Sequence, residues 1–497
     1  MTDVSRKMAK GAAWMVLCKL LDRTIGFIST IILARLLLPS DFGLASMATA
    51  IIAMLQLLGA FNFEMALIQK QNAERRHYDT VWTMDIIFAA ICAAGLLLLA
   101  HPAARFYAEP RLTAIMQVLA FSTLMGGLTN VGVIAFQKEM QFAKEFKFVM
   151  SKRLITFVVT ISLAVLWRDY WALVIGTVTA TLLGVVISYV SQPYRPRLSL
   201  AARHELFNFS KWMLVVNLLN FLHHRSVDFI IGKTSGARAL GLYNLSYEIS
   251  NLATTDMVAP ISRATFPGYV KLASDIQALQ REFLNVTSMI ALIAVPTGVG
   301  IAATSDLIVG LILGSKWTDA APLIAILAFY GVIQSLQSNF GAILLALGKA
   351  RASSGIMAIY VSVLIPSIIY GAHQDGSRGA AFATLAVGIA MMPVNFTLVF
   401  KAIRLPAIEF IKVIWRPLVA SFIMYSVVWF FQNTWLAESI FELAQKAFVS
   451  AVLGAVTYIS MILVFWKLSS CPRGGEEYIL RKLHLEKMLA YLKPDPK

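Results

Sequence analysis

Apolar residues along this chain fall in stretches of about twenty, and the polar positions gather between the stretches rather than at a period of two. A helix of about twenty residues crosses the roughly 30 Å of bilayer hydrocarbon, whereas a membrane strand needs only about ten alternating residues. The pattern therefore predicts an all-α polytopic membrane protein of about 14 transmembrane helices. The expected spans are 11–36, 42–68, 80–101, 112–136, 148–167, 171–192, 206–230, 240–266, 282–304, 320–346, 352–371, 379–402, 411–432 and 440–466. Connections between them are short and leave no room for a folded domain outside the membrane.

Composition agrees: 58% of the 497 residues are hydrophobic and 14% charged, with a mean hydropathy of +0.71 that is far too high for a soluble chain of this length. The net charge of +16 would point to nucleic acid if it were clustered in a soluble domain. Instead it alternates with the loops. Of 43 Lys and Arg, 30 fall on one side of the expected topology and 7 on the other. By the positive-inside rule both termini are cytoplasmic, and no nucleic-acid partner is expected. Three cysteines are too few for a disulfide framework, and Cys18 and Cys92 read as small apolar side chains within spans. Lys19, Asp22 and Arg23 interrupt any signal-peptide core, so the first span is expected to remain as a helix.

Two internal matches suggest duplication. Ala34 to Leu44, which includes Pro39 and Gly43, is followed 198 residues later by Gly232, Lys233, Ala239, Leu240, Gly241 and Leu242. Asn130-Val-Gly-Val-Ile134 finds a counterpart in Asn339-Phe-Gly-Ala-Ile343. Two six-helix lobes follow, in parallel orientation about an axis along the membrane normal. The expected divisions are 1–205 and 206–404 for the lobes, 405–467 for two further helices, and 468–497 for a basic tail. From Glu476 to Leu492 the tail has an amphipathic pattern suited to an anionic membrane surface.

Ionisable groups inside a bilayer are costly unless they face water or a partner, so they are the first candidates for a transport path. Lys19, Asp22 and Arg23 share one face of the first span. They read either as a cavity lining or as an ion cluster packed against a neighbouring helix. The seventh span carries Asn217, Asn220, His224 and Asp228 as a stripe, with Lys211 and Arg225 nearby, and polar packing between helices is the competing explanation there. Glu64, Glu248 and Asp256 are candidates for ion coupling. Prolines 260, 267, 296, 366 and 393 are expected to bend later spans. No P-loop or H-E-x-x-H pattern is present, so neither a catalytic site, a metal site nor a cofactor is expected.

The stretch Ala34-Arg-Leu-Leu-Leu-Pro-Ser-Asp-Phe-Gly-Leu44 with Ala66-Leu-Ile-Gln-Lys70 resembles Wzx-type polysaccharide flippases of the multidrug/oligosaccharidyl-lipid/polysaccharide exporter superfamily. His77-Tyr-Asp-Thr-Val-Trp-Thr83, Asn130-Val-Gly132 and Phe142-Ala-Lys-Glu-Phe146 look like its proteobacterial exopolysaccharide branch, including succinoglycan-type exporters. The resemblance implies a flippase of the bacterial cytoplasmic membrane, working by alternating access on undecaprenyl-diphosphate-linked oligosaccharide. It also implies membrane lipid and a polysaccharide polymerase or export complex as partners. Lys19, Arg23, Lys211 and Arg225 are then the bases available to a diphosphate. Where relatives have Asp-Phe-Gly, this chain has Asn62-Phe63-Glu64, which leaves the role of Glu64 open.

The nearest rival is a cation-coupled multidrug antiporter of the same architecture, whose cavity should be acidic. Four bases (Lys19, Arg23, Lys211, Arg225) against two acids (Asp22, Asp228) favour an anionic cargo, although Glu64, Glu248 and Asp256 reverse the count if all of them face it. A membrane-embedded polymerase or ligase would be expected to carry a large outer loop, which the spacing does not provide.

Overall fold

The computed structural model describes residues 3–57, 67–68, 70, 73–139, 141–203, 211–252, 254–435, 437, 439–472 and 474–477, and all regular structure among them is helical. The first helices are α1 (Asp3–Leu36), α2 (Pro39–Gln56), α3 (Arg75–Tyr107), α4 (Arg111–Gly126), α5 (Ile134–Lys138), α6 (Phe142–Trp167) and α7 (Trp171–Ser191). They continue as α8 (Lys211–Leu252), α9 (Thr255–Leu272), α10 (Ile276–Ala303), α11 (Ser305–Ile308), α12 (Ala320–Gln337) and α13 (Phe340–Ala346). The chain then runs through α14 (Ala350–Ile403), α15 (Ala407–Thr434) and α16 (Ile440–Leu468). Eight described helical segments are long and apolar enough to cross a membrane, and a ninth if α4 and the bent segment after it are taken together.

Their surface is that of a membrane protein. Leu98, Val190, Phe422, Phe448 and Ile440 are well exposed, an arrangement that lipid solvates and water would not.

Several expected boundaries shift for local reasons. The expected span 112–136 is bent by 64° between α4 and Val131–Lys138. The expected spans 352–371 and 379–402 are the two limbs of α14, broken where Asp375 and Gly376 leave helical geometry, Gly376 at φ 51°. α8 likewise contains a break at Gly236, φ 79°, a backbone region that glycine enters without a Cβ clash. Pro296, Pro366 and Pro393 lie inside helices as anticipated, as do Pro102 and Pro417.

Contacts divide the chain into two compact units, Met1–Gly241 and Leu242–Lys497. In the first, Leu33 and Leu37 pack with Ala164 and Ala172, and Leu67, Val81 and Met84 pack with Val131 and Ile134. Among the described residues of the second, two cores are larger than the small one at Trp466 and Cys471. One joins Phe283, Phe340, Ile403 and Phe410; the other joins Val295, Leu336, Met424 and Tyr458.

The Pro39–Gly43 stretch shows why its residue types matter. Pro39 begins α2, where its missing N–H costs nothing, and the Asp41 carboxylate accepts the Leu38 N–H at 2.8 Å. Gly43 then lies so close to the Ala237 carbonyl that a Cβ would overlap it, while Gly241 lies against the Pro39 carbonyl in the same way. Residues 39 and 43 correspond to 237 and 241 under the 198-residue offset. Each glycine therefore meets the residue four places before the other, the self-complementary contact that a twofold relation produces.

The other motif residues build a platform on the basic face. Asp79 accepts from the Tyr194 hydroxyl at 2.7 Å and the Arg197 N–H at 2.8 Å, and Thr83 accepts from the Ser199 N–H at 2.9 Å. Asn130, fully buried, donates to the Tyr194 carbonyl at 2.7 Å and accepts from the Gly132 N–H at 2.9 Å. These bonds hold the extended 192–199 strap against the start of α3. Burial, followed by the Asp79 bond and charge, pushes the Tyr194 phenol well above its ordinary pKa, so it stays a donor. In the second unit, Asn339 is also fully buried and joins Thr265 at 3.3 Å and the Tyr269 hydroxyl.

The tail begins differently from the surface helix expected from Glu476 onward. Glu476 is buried and accepts from Arg416 of α15 at 2.9 Å, and the Gly475 N–H donates to Ser288 of α10 at 3.1 Å. Residues 478–492, the rest of that expectation, lie outside the described residues.

Candidate functional site

The charged face of α1 faces α6. Arg153 Nε lies 3.1 Å from Asp22 Oδ1, with side chains 37% and 47% exposed, and Arg153 Nη2 also reaches the Asp22 carbonyl at 3.4 Å. Gly26, one turn beyond Asp22, leaves the space that the guanidinium fills, since a Cβ there would overlap it. The depths match as well. Asp22 precedes the end of α1, and Arg153 the end of α6, by the same fourteen residues, about 21 Å of helix.

Lys19 and Arg23 are exposed on α1 beside this pair. Lys19, Arg23 and Arg153 are three bases around Asp22, and Glu145 of α6 lies near Cys18 as a second acid. Arg153, the sixth residue of the expected span 148–167, was not singled out in the sequence, and the nearest available signal was Gly26 one turn beyond Asp22.

The seventh-span stripe divides. Asp228 is buried and pairs with Arg225 at 3.0 Å, the arginine side chain remaining 40% exposed. Asp228 lies near Tyr107 of α3, whose ring stacks on Phe229 at 6.3 Å and fills the space beside Gly232. Asn217 is half-buried, Asn220 and His224 are exposed, and the His223 and His224 rings meet edge to face at 4.5 Å. Arg225 is thus committed in part to a buried acid, which sequence counting treated as independent of it.

Of the coupling candidates, Glu248 is half-buried in the second unit. Glu64 and the side chains of Lys211 and Asp256 lie outside what the structure describes. A group not singled out in the sequence includes Tyr247, the residue before Glu248. The Tyr330 and Tyr360 hydroxyls lie 3.0 Å apart, Gln334 donates to Tyr330 at 3.2 Å, and the Tyr247 and Tyr330 rings are 6.5 Å apart. The tyrosines looked like ordinary membrane aromatics because they come from three separate helices. Among the described residues no group of His, Cys, Asp and Glu is arranged to hold a metal ion.

Helices of this length, with α8 and α14 broken at Gly236 and Gly376, define a polytopic helical membrane-protein fold. The polysaccharide biosynthesis protein family matches residues 32–322, more than half of the chain, and the chain belongs to that family. It is 23% identical over 424 residues to the lipopolysaccharide biosynthesis protein WzxC of Escherichia coli K12, covering 84% of this chain and 86% of that one. It is also 23% identical over 465 residues to the succinoglycan biosynthesis transport protein ExoT of Rhizobium meliloti, covering 93% of each. Among solved structures, the lipid II flippase MurJ in an inward closed conformation shares the fold with a TM-score of 0.73 at 13% identity, covering 91% of this chain and 98% of that one.

Proposed function

We propose that the protein is a flippase of the bacterial cytoplasmic membrane that carries undecaprenyl-diphosphate-linked oligosaccharide across by alternating access, for lipopolysaccharide or exopolysaccharide synthesis. The observation that carries this reading is the Arg153–Asp22 pair. Arg153 of α6 meets Asp22 and adds a third base to Lys19 and Arg23 of the first expected span, so bases outnumber acids there, where charge is retained only against water or an opposite charge. A diphosphate offers such an opposite charge, with bidentate geometry for a guanidinium. An organic cation would be repelled, so the cluster disfavours the multidrug antiporter.

In this reading the lobes are 1–205 and 206–404, with 405–467 as an appendage and both termini cytoplasmic, and a polymerase or export complex takes the product. Glu64, Glu248 and Asp256 are the acids available to couple an ion.

The test is complementation of a strain lacking its own polysaccharide flippase. Arg23→Glu and Lys19→Glu proteins that insert and fold should restore little surface polysaccharide, while the wild type restores it. Normal export by folded Arg23→Glu would remove Arg23 from the path and favour an ion cluster that only packs helices.

A further inference from the structure

The two limbs of α14, 350–374 and 377–403, meet tightly near the break between them. A Cβ on Gly371 or Gly379 would overlap the other glycine's carbonyl. Toward the opposite, basic face the limbs leave a cleft of about 710 Å³, lined by Lys349, Ala352, Pro393, Val394, Leu398 and Lys401 among others. Its volume lies within the roughly 300–1,000 Å³ typical of small-molecule sites.

Three features give the cleft a chemical preference. Pro393 and the small Ala352 leave the walls open, and Val394, Leu398 and Ala402 make most of the lining apolar. Lys349 precedes the first turn of one limb and Lys401 lies in the last turn of the other, which puts two exposed ammonium groups at one end. No acidic residue lines it. From Lys401 to Pro393 the apolar wall is eight residues long, about 12 Å, close to half the hydrocarbon thickness.

A second cleft on the same hairpin, about 570 Å³ and lined by Pro366, Ser367, Tyr370, Gln374 and Phe382, carries no charge. The asymmetry therefore belongs to the basic end and not to the hairpin as such.

We propose that the Lys349–Lys401 cleft binds one anionic glycerophospholipid of the leaflet on the basic face, its phosphate between the two lysines and an acyl chain against Pro393, Val394 and Leu398. Two ammonium groups at one mouth favour a net negative headgroup over a zwitterionic one, whose own cation competes with the lysines for the phosphate. The depth suits part of one acyl chain, whereas a polyprenyl carrier would far outrun it.

The experiment is native mass spectrometry of the purified full-length protein from neutral detergent, with phosphatidylglycerol and phosphatidylcholine of identical chains. The wild type should retain one phosphatidylglycerol in preference, and Lys349→Ala with Lys401→Ala should weaken that preference by about tenfold or more. Ala352→Leu, which narrows the cleft and keeps both lysines, should also reduce retention. Arg351→Ala with Arg404→Ala removes two charges that the same face carries outside the cleft, and should leave the preference intact; each variant is first checked for wild-type elution and thermal unfolding. Equal loss in the arginine pair would show a diffuse basic surface and overturn the proposal. So would unchanged retention in both cleft variants, or displacement of phosphatidylglycerol by stoichiometric undecaprenyl phosphate, which would assign the cleft to the carrier lipid.

Discussion

Gly43 and Gly241, 198 residues apart in sequence, occupy equivalent places in one reciprocal contact, each pressed against the backbone of the residue four positions before the other. Neither position tolerates a Cβ without movement of main chain, which is far less yielding than a side chain.

Gly43→Ala and Gly241→Ala should each destabilise the protein by about 1–3 kcal/mol, the range of overpacking. Gly355→Ala, at a helical glycine with nothing within 4 Å, should be neutral or stabilising by up to about 1 kcal/mol. Thermal unfolding in a single detergent measures all three. Tolerance of alanine at both crossing positions would mean that the helices are not held as closely as the structure shows.

The Asp22–Arg153 pair is partly exposed, so its effect on stability should be small, at most about 1 kcal/mol. Its effect on export should be larger. Arg153→Ala removes one base and leaves Asp22 to offset Lys19 or Arg23, and Asp22→Asn in the same protein should restore part of the lost export. A double-mutant cycle on polysaccharide yield reads the coupling directly, and strictly additive losses would show that the two residues act separately.

Arg416 and Glu476 present the opposite case, because their side chains are only 6% and 4% exposed. Removing one partner leaves a buried charge, and Arg416→Met or Glu476→Leu should each cost about 3–5 kcal/mol. The double variant should recover most of that loss. Lys412→Ala, which breaks an exposed pair with Glu409, should change stability by no more than about 1 kcal/mol. Chemical or thermal unfolding of the purified protein distinguishes these outcomes.

Topology follows from the loop charges and is checked in a background lacking Cys18, Cys92 and Cys471. Single cysteines in 69–79 or 193–205 should resist impermeant thiol reagents applied from the periplasm, while those in 433–439 should react. The 193–205 result needs a permeabilised control, because the Arg197 and Ser199 amides are bonded to Asp79 and Thr83. Labelling with the two loop classes exchanged would invert the orientation.

The sequence by itself determined the helical class and the membrane as solvent, because both rest on lengths and hydropathy that each segment carries alone. It also showed Pro39 and Gly43 matched at a constant offset by Ala237 and Gly241, the four residues that meet in the structure. The breaks at Gly236 and Gly376 were less legible: a glycine permits a positive φ but only packing demands it. The pairing of charges was legible least of all. Asp22 and Arg153 are 131 residues apart in the chain and meet only where α1 packs against α6. Asp228 looked like a member of a polar stripe until its burial beside Arg225 and Tyr107 separated it from Asn220 and His224. A side chain's charge is written in its sequence, but the neighbour that neutralises it is chosen by which helices pack together, and that choice belongs to the tertiary structure.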